Sequence, residues 1–257
     1  MQHLSQFLAA TPAQLVRSFP VLLAPAVYVA DDAVLEHMRQ YAGAGGHLIA
    51  GIRTGYGDDL ARARPVVAPA FLAEAAGVHD DEYSNLSEPL PVSSATDELT
   101  LEPGAAATGW VDILQVDDAD VLATCQPNEL GASAALTTRA FGAGRLSYLG
   151  TVPNAPLARS IARWAVPQTA ARQWQAPEGV TVATGLANGR LLTFISNWTV
   201  QQTSVIAPAP ALDLASHLRY ARDEAVTLEP RAALVVQVHE HPIRNNPIDD
   251  PPEHADA

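Results

Sequence analysis

Apolar positions fall into two regimes along the chain. In the first half, a short apolar run, Val21-Leu-Leu, is closed by Pro25, and a second, Leu48-Ile-Ala, follows a pair of glycines. Between them Val34, Leu35, Met38 and Tyr41 recur at the spacing of one helical face. Asp31 or Asp32 is placed to accept from the free N–H groups of that helix, and Gly45 and Gly46 to end it in a left-handed C-cap. The pattern predicts strand, capped helix and a second strand over 47–52, a right-handed βαβ unit of a parallel sheet.

Upstream, Thr11-Pro12 marks a helix start at N-cap and N1. Downstream, residues 53–69 read as a loop, 70–76 as a short helix stopped by Gly77, and 80–91 as acidic and irregular. Strands are expected near 110–114, 120–125, 134–138 and 145–150, with Gly142-Ala-Gly144 turning two of them back on each other. A closing helix is expected over 156–165, with Leu157, Ile161 and Trp164 on one face. After 166–178, a linker holding Pro167 and Pro177, the period becomes alternating. Runs at 180–186 and 190–196 flank Asn188-Gly189, which favours a type I′ hairpin turn. Further short strands near 203–207, 225–228 and 233–239 predict a small antiparallel β-sandwich. Residues 241–257, rich in Pro, Asp, Asn and His, are expected to be disordered.

Charge removes two partner classes. The chain of 257 residues has a formal net charge of −13, against the basic face that nucleic acid demands and against anionic membranes. All 15 basic residues are arginine, a skew read as base composition of the genome rather than mechanism. Neither a signal peptide nor an apolar run approaching a membrane span is evident, so a cytoplasmic location is expected and the triplets Asn85-Leu-Ser and Asn197-Trp-Thr are read as incidental. The single cysteine, Cys125, excludes an intrachain disulfide and is expected to be a buried, inert thiol.

Candidate chemistry is sparse. The pairs Asp31/Asp32, Asp58/Asp59, Asp80/Asp81 and Asp117/Asp118 are read as caps and solvated turns. His239, His241 and His254 lack metal-ligand spacing, and no metal or cofactor is expected. Asn197 and Trp198 form a conceivable sugar platform. The preferred reading has Asn197 bonding its own sheet and Trp198 packing inside the sandwich.

Three stretches together carry a family resemblance. The first runs from the apolar strand and Pro25 through the Asp-capped helix and Tyr41-Ala-Gly-Ala-Gly-Gly to Arg53-Thr-Gly55. The second is Thr137-Thr-Arg-Ala-Phe-Gly-Ala-Gly-Arg-Leu-Ser-Tyr-Leu-Gly-Thr151, and the third Phe194-Ile-Ser-Asn-Trp198. In this order they resemble the middle, trimerisation domain and the small C-terminal β domain of glycoside hydrolase family 42 β-galactosidases. The resemblance implies an α/β fold, a flavodoxin-like or class I glutamine amidotransferase-like parallel sheet domain, N-terminally truncated, followed by the β-sandwich. It divides the chain into a poorly matched segment 1–19, the α/β domain 20–165, the linker 166–178, the β domain 179–240 and the tail 241–257. In that family a (β/α)8 barrel supplies the acid/base and nucleophile glutamates. No residue here matches either, so no catalytic or substrate-binding residue is carried over and independent hydrolysis is not expected.

The partners implied are further copies of the chain, as a trimer, or a separate catalytic barrel chain. A carbohydrate-binding accessory protein using the C-terminal sandwich is the alternative. The amidotransferase likeness raises a third reading, an active enzyme with its nucleophile on a strained turn. The equivalent slot in Gly51-Ile-Arg-Thr-Gly55 holds Arg53, which is no nucleophile. Arg53, Thr54 and Tyr56 are therefore candidates for an interface contact or for anchoring their loop, with Arg53 pairing to a carboxylate or a backbone carbonyl across a subunit interface.

Overall fold

The computed structural model describes residues 7–127, 131–166, 174–188 and 190–238. The chain divides into two compact units, 1–167 and 168–257.

The first unit opens with helix α1 (Pro12–Ser18), entered through a reciprocal cap. The Gln14 amide donates to Thr11 Oγ1 at 3.3 Å while Gln14 Oε1 accepts from the Thr11 amide at 2.8 Å. Strand β1 (Val21–Ala24), helix α2 (Asp32–Gly43) and strand β2 (His47–Gly51) follow. Asp31 caps α2 by accepting from the Val34 amide at 2.7 Å, and Val34, Leu35, Met38 and Tyr41 are all buried. The exit from α2 differs from expectation. Ala44 closes the helix in right-handed geometry and Gly45 alone, at φ 114°, is left-handed. Gly46 serves a different need: a Cβ there would overlap the Tyr41 ring. Strands β1 and β2 pair in parallel from Val21 opposite His47 to Ala24 opposite Ala50.

A 3-10 turn (Ala70–Leu72) leads into the single-turn helix α3 (Ala73–Ala76), stopped by Gly77 at φ 64°. Seven strands and a helix complete the unit: β3 (Val78–Asn85), β4 (Leu90–Ser94), β5 (Ala106–Val116), β6 (Asp120–Cys125), β7 (Ala134–Phe141), β8 (Gly144–Leu149), β9 (Thr151–Pro153) and α4 (Ala155–Ala165). The sheet order is β1-β2-β8-β7-β6-β4-β5-β3, with β9 also on β5. Among the described strands only β1, β2 and β8 run parallel, and every other strand pair of the sheet is antiparallel, so the sheet is mixed. The stretch read as irregular, 80–91, instead holds most of β3 and the start of β4. Its polar residues sit on a strand whose outward positions face solvent, which left no apolar alternation to read.

The parallel strands separate two cores. Leu48, with Leu35, Leu72 and Tyr148, belongs to the core that holds α2, and its neighbour Ile49, with Leu122, Leu136 and Leu157, to the core that holds α4. Successive strand residues point to opposite faces, so each face needs its own cover. Cys125 is buried in the second core, where burial pushes its thiol up. Strand β1 pairs with β2 alone among the described strands, and Leu23 in its middle is 62% exposed.

The second unit is antiparallel throughout. Strands β10 (Val180–Ala187), β11 (Arg190–Asn197), β13 (Ala211–Asp213), β14 (Arg219–Tyr220) and β16 (Ala233–Val238) form a sheet in the order β10-β11-β16-β13-β14. Strands β12 (Thr203–Ile206) and β15 (Ala225–Leu228) form a second, two-stranded sheet. Ile195, Val205, Val226, Leu228 and Val236 pack in one core. The β10–β11 hairpin turns at Asn188 with φ 50°, as a type I′ turn requires, while Gly189 lies outside the described residues. The short strands β13 and β14 were not foreseen. Most of the expected linker, 167–173, and the tail 241–257 also lie outside the described residues.

Asn197, buried at the end of β11, holds the strand ends of this unit together. Its Nδ2 donates to the carbonyls of Gln201 (2.8 Å) and Glu229 (3.0 Å), and its Oδ1 accepts from the Thr199 amide at 2.9 Å. Asn197→Ala removes all of these and leaves buried partners unpaired, at about 1–3 kcal/mol for such a group. The expected result is a fall in the urea midpoint of the second unit. An unchanged midpoint would show that water replaces the amide without loss. Trp198 departs from its expected place. It is 59% exposed, not packed in the core, and its indole N–H donates to Thr181 Oγ1 at 2.9 Å.

Candidate functional site

The loop after β2 gathers the first unit's exposed aromatic and charged groups. Beyond Gly51 the chain turns at once, and buried Thr54 fixes the turn. Its hydroxyl donates to the Gly51 carbonyl at 2.6 Å and accepts from the Val27 amide at 3.4 Å. This ties the loop after β1 to the loop after β2. Arg53 lies in the left-handed region at φ 59°, a conformation that disfavours a side chain with a Cβ. No helix follows it, unlike the strand-turn-helix of a nucleophile elbow.

Within the chain Arg53 lies between two aromatic rings. Its guanidinium carbon sits 4.4 Å from the Tyr28 ring centre and 4.8 Å from that of Trp110. Outside these rings lie two more: Tyr56 stacks on Tyr28 at 5.1 Å, and Tyr83 on Trp110 at 4.4 Å, with interplanar angles of 12° and 15°. The result is a five-layer stack with a cation at its centre. Each guanidinium–ring contact contributes about 0.5–1 kcal/mol at an exposed site. The strand register explains the outer pair, because Tyr83 on β3 lies opposite Asp112, two residues from Trp110 on β5.

Beneath the stack are two carboxyl groups that cannot both ionise freely. Asp112, buried, accepts from Trp110 Nε1 at 2.6 Å and from the Tyr148 hydroxyl at 3.1 Å. Burial pushes it up to about 6, against the downward pull of those two bonds and of the Arg53 charge. Asp80 is pushed up to about 7, first by burial and then by the charge on Asp112. Burial raises the Tyr148 phenol well above its ordinary value. A bulge between Asp80 and Glu82 resets the strand there. Asp80 Oδ1 and Arg64 Nε are buried without a hydrogen-bond partner among the described residues. The Arg64 side chain, nearly sealed, pairs with Asp32 and donates to the Ala30 carbonyl at 2.6 Å.

A pocket of about 250 Å³ opens beside these groups, with Arg53, Tyr56, Arg64, Asp80, Tyr83 and Trp110 in its walls. Asp81 and Glu82 join Asp80 in its walls, while Asp112 is shut off from solvent behind them, with its oxygens committed to Trp110 and Tyr148.

Most of the remaining acidic candidates have structural partners. Asp31 caps α2, Asp58 accepts from the Leu60 and Arg62 amides at 2.9 Å, Asp117 pairs with His79 at 3.0 Å and Asp118 with Arg139 at 2.6 Å. The dismissal of Asp80 as part of a solvated turn is overturned, because β3 carries it under the Arg53 stack. Trp110, Asp112 and Tyr148 were not singled out as site residues. Asp112 did leave a signal, a carboxylate within the apolar run Trp110-Val-Asp-Ile-Leu. No group of three or more possible metal ligands occurs among the described residues, and His239, His241 and His254 fall outside them.

Comparison with known proteins places this geometry. A family model described as the β-galactosidase trimerisation domain matches residues 9–170. The chain is 25% identical over 232 residues to β-galactosidase LacZ of Heyndrickxia coagulans, covering 89% of this chain and 34% of that one. It is 31% identical over 141 residues to β-galactosidase BgaA of Clostridium cellulovorans, covering 54% and 20%. Among solved structures, the β-galactosidase of Bacillus circulans sp. alkalophilus superposes with a TM-score of 0.73 at 19% identity, over 85% of this chain and 33% of that one. The cold-adapted enzyme of Rahnella sp. R3 gives 0.73 at 20% identity, over 86% and 32%. The chain spans about a third of the length of the first relatives it matches.

Proposed function

Because the chain belongs to the β-galactosidase trimerisation-domain family of glycoside hydrolase family 42, we propose that it acts as the non-catalytic assembly portion of a β-galactosidase, joining copies in threes. The observation that carries this reading is the family match over residues 9–170, across the whole mixed-sheet unit. Hydrolysis of terminal β-D-galactosides would then rest on carboxylates of a barrel outside these 257 residues, on the same or on a separate polypeptide. We read the parallel strands β1, β2 and β8 as the flavodoxin-like element of the unit and the two antiparallel sheets of 168–257 as a small sandwich.

The surface supports association. Phe19 and Leu23 are exposed beside the free edge of β1, and apolar pockets lined by Leu23 open on both faces of that strand. Arg53 and Tyr56, exposed at the tip of their loop and held by Thr54, are candidates for an interface contact. No described helix is long and apolar enough to cross a membrane, and a cytoplasmic site of action is part of this reading.

Light scattering on the purified chain, with hydrolysis of a chromogenic β-galactoside assayed on the same sample, tests the proposal. A mass of three chains without turnover is the expected result. A monomeric mass at micromolar concentration would overturn the assembly role, and turnover above a mock-purified control would overturn the non-catalytic one.

A further inference from the structure

The pocket beside Arg53 carries chemistry that assembly does not require, and we propose that it binds one neutral pyranose ring, as a saccharide site in the first unit without hydrolytic function. Four features of its walls argue for that ligand class. The charges are of both signs: Arg53 lines the space together with Asp80, Asp81 and Glu82, and Arg64, already paired with Asp32, closes one side. An anion would meet the carboxylates and a cation the guanidinium groups, each at a desolvation and repulsion cost. An uncharged ligand that both donates and accepts meets neither, and hydroxyl groups do both.

The second feature is the aromatic wall. Tyr83 is 54% exposed and is backed by Trp110 at 4.4 Å, so it offers a flat, supported surface to the apolar C–H face of a sugar ring. Third, the wall is pre-organised. Trp110 is held by Asp112 beneath and by Arg53 alongside, so little side-chain freedom remains to be lost on binding. Arg53 itself keeps a left-handed backbone that a side chain disfavours, a feature that clusters at binding sites. Fourth, at about 250 Å³ the pocket lies just below the ~300–1,000 Å³ range of drug-sized ligands, which favours one ring over an extended chain.

Arg53 and Tyr56 serve both this site and the interface contact of the assembly reading, and one set of samples separates the two. Ligand-observed NMR titration of the full chain would use methyl β-D-galactopyranoside and methyl β-D-glucopyranoside, with D-galacturonate and D-galactosamine as charged counterparts. Saturable binding of at least one neutral glycoside is expected, with a Kd on the order of 1 mM and weaker binding of both charged sugars. Tyr83→Ala, at an exposed position, should weaken binding at least tenfold while the circular dichroism stays unchanged, and Tyr83→Phe should retain it. Trp198→Ala, in the other unit, should leave it as it was. Absence of saturation with either neutral glycoside, preference for a charged sugar, or equal binding by Tyr83→Ala would overturn the site. Light scattering on the same variants reports assembly separately. A change of mass in Tyr83→Ala with no saccharide binding by the parent chain would assign this face to an interface and overturn the proposal.

Discussion

Alanine at Gly51 is expected to unfold the first unit while leaving the second folded. Gly51 ends β2, opposite Leu149 of β8, where the chain passes directly against the turn that follows β1. A Cβ there would fall on the carbonyl oxygen of Pro25 and crowd the Pro25 carbonyl carbon and Cα. All three are backbone atoms, so no side chain can rotate away, and relief requires β1 or β2 to shift in a parallel ladder that fixes both. Overpacking costs about 1–3 kcal/mol where side chains can adjust. Here the loss should exceed ~3 kcal/mol, a large part of a domain's total stability. Gly104→Ala is the contrast. Its Cβ would meet nothing, and only the φ of 79° opposes it, at about 1 kcal/mol. Hydrogen exchange resolved by segment checks both: amides of 47–51 should lose protection in Gly51→Ala and keep it in Gly104→Ala, with β11 protected in each. Retained protection of 47–51 in Gly51→Ala would mean that the two loops separate at little cost.

The first unit should also lose stability as pH rises from 5 to 8, with Asp80 as the principal cause. The direction follows from proton counting. Asp80 is pushed up to about 7 from an ordinary 3.8, and Asp112 to about 6. Between pH ~4 and ~7 the folded chain therefore holds more protons than the unfolded one, and stability falls as pH rises. The cost is absent below the ordinary carboxylate range and complete above pH ~7. A shift of about three units at ~1.4 kcal/mol each sets an upper bound near 4 kcal/mol for Asp80. The contributions of the two acids do not simply add, since each raises the cost of ionising the other. Asp80→Asn removes the charge at nearly constant shape. It should be more stable than the parent at pH 8, by a smaller margin at pH 5, and flatter in between. Thermal melts of both proteins at the two pH values decide the matter. A difference between them that does not change with pH would mean that Asp80 ionises freely in the folded chain.

The candidate site was only partly legible before the structure. Arg53, Thr54 and Tyr56 stood out because Gly51-Ile-Arg-Thr-Gly55 follows a buried strand as the nucleophile turn of an amidotransferase does. That Thr54 would join two loops and that Arg53 would lie between Tyr28 and Trp110 depended on residues 25 to 57 positions away. Trp110 and Tyr83 come from strands that pair across an intervening segment of the chain, and that pairing leaves no trace in local spacing. Asp80 was misread for the same reason. An acidic run looks solvated until a neighbouring strand covers it.

By itself, the sequence determined the local elements whose causes are local. These were the Asp31 cap and apolar face of α2, the Gly77 stop after α3, the Asn188 turn and the family likeness. Caps, turns and periodicity act over a few residues, so a single chain displays them. Only the tertiary structure decided the sheet order, the predominance of antiparallel pairing, the exposure of Trp198, and the union of five stacked side chains beside the buried Asp112 and the half-buried Asp80. Those depend on which surfaces meet, and burial and charge coupling arise only once they have met.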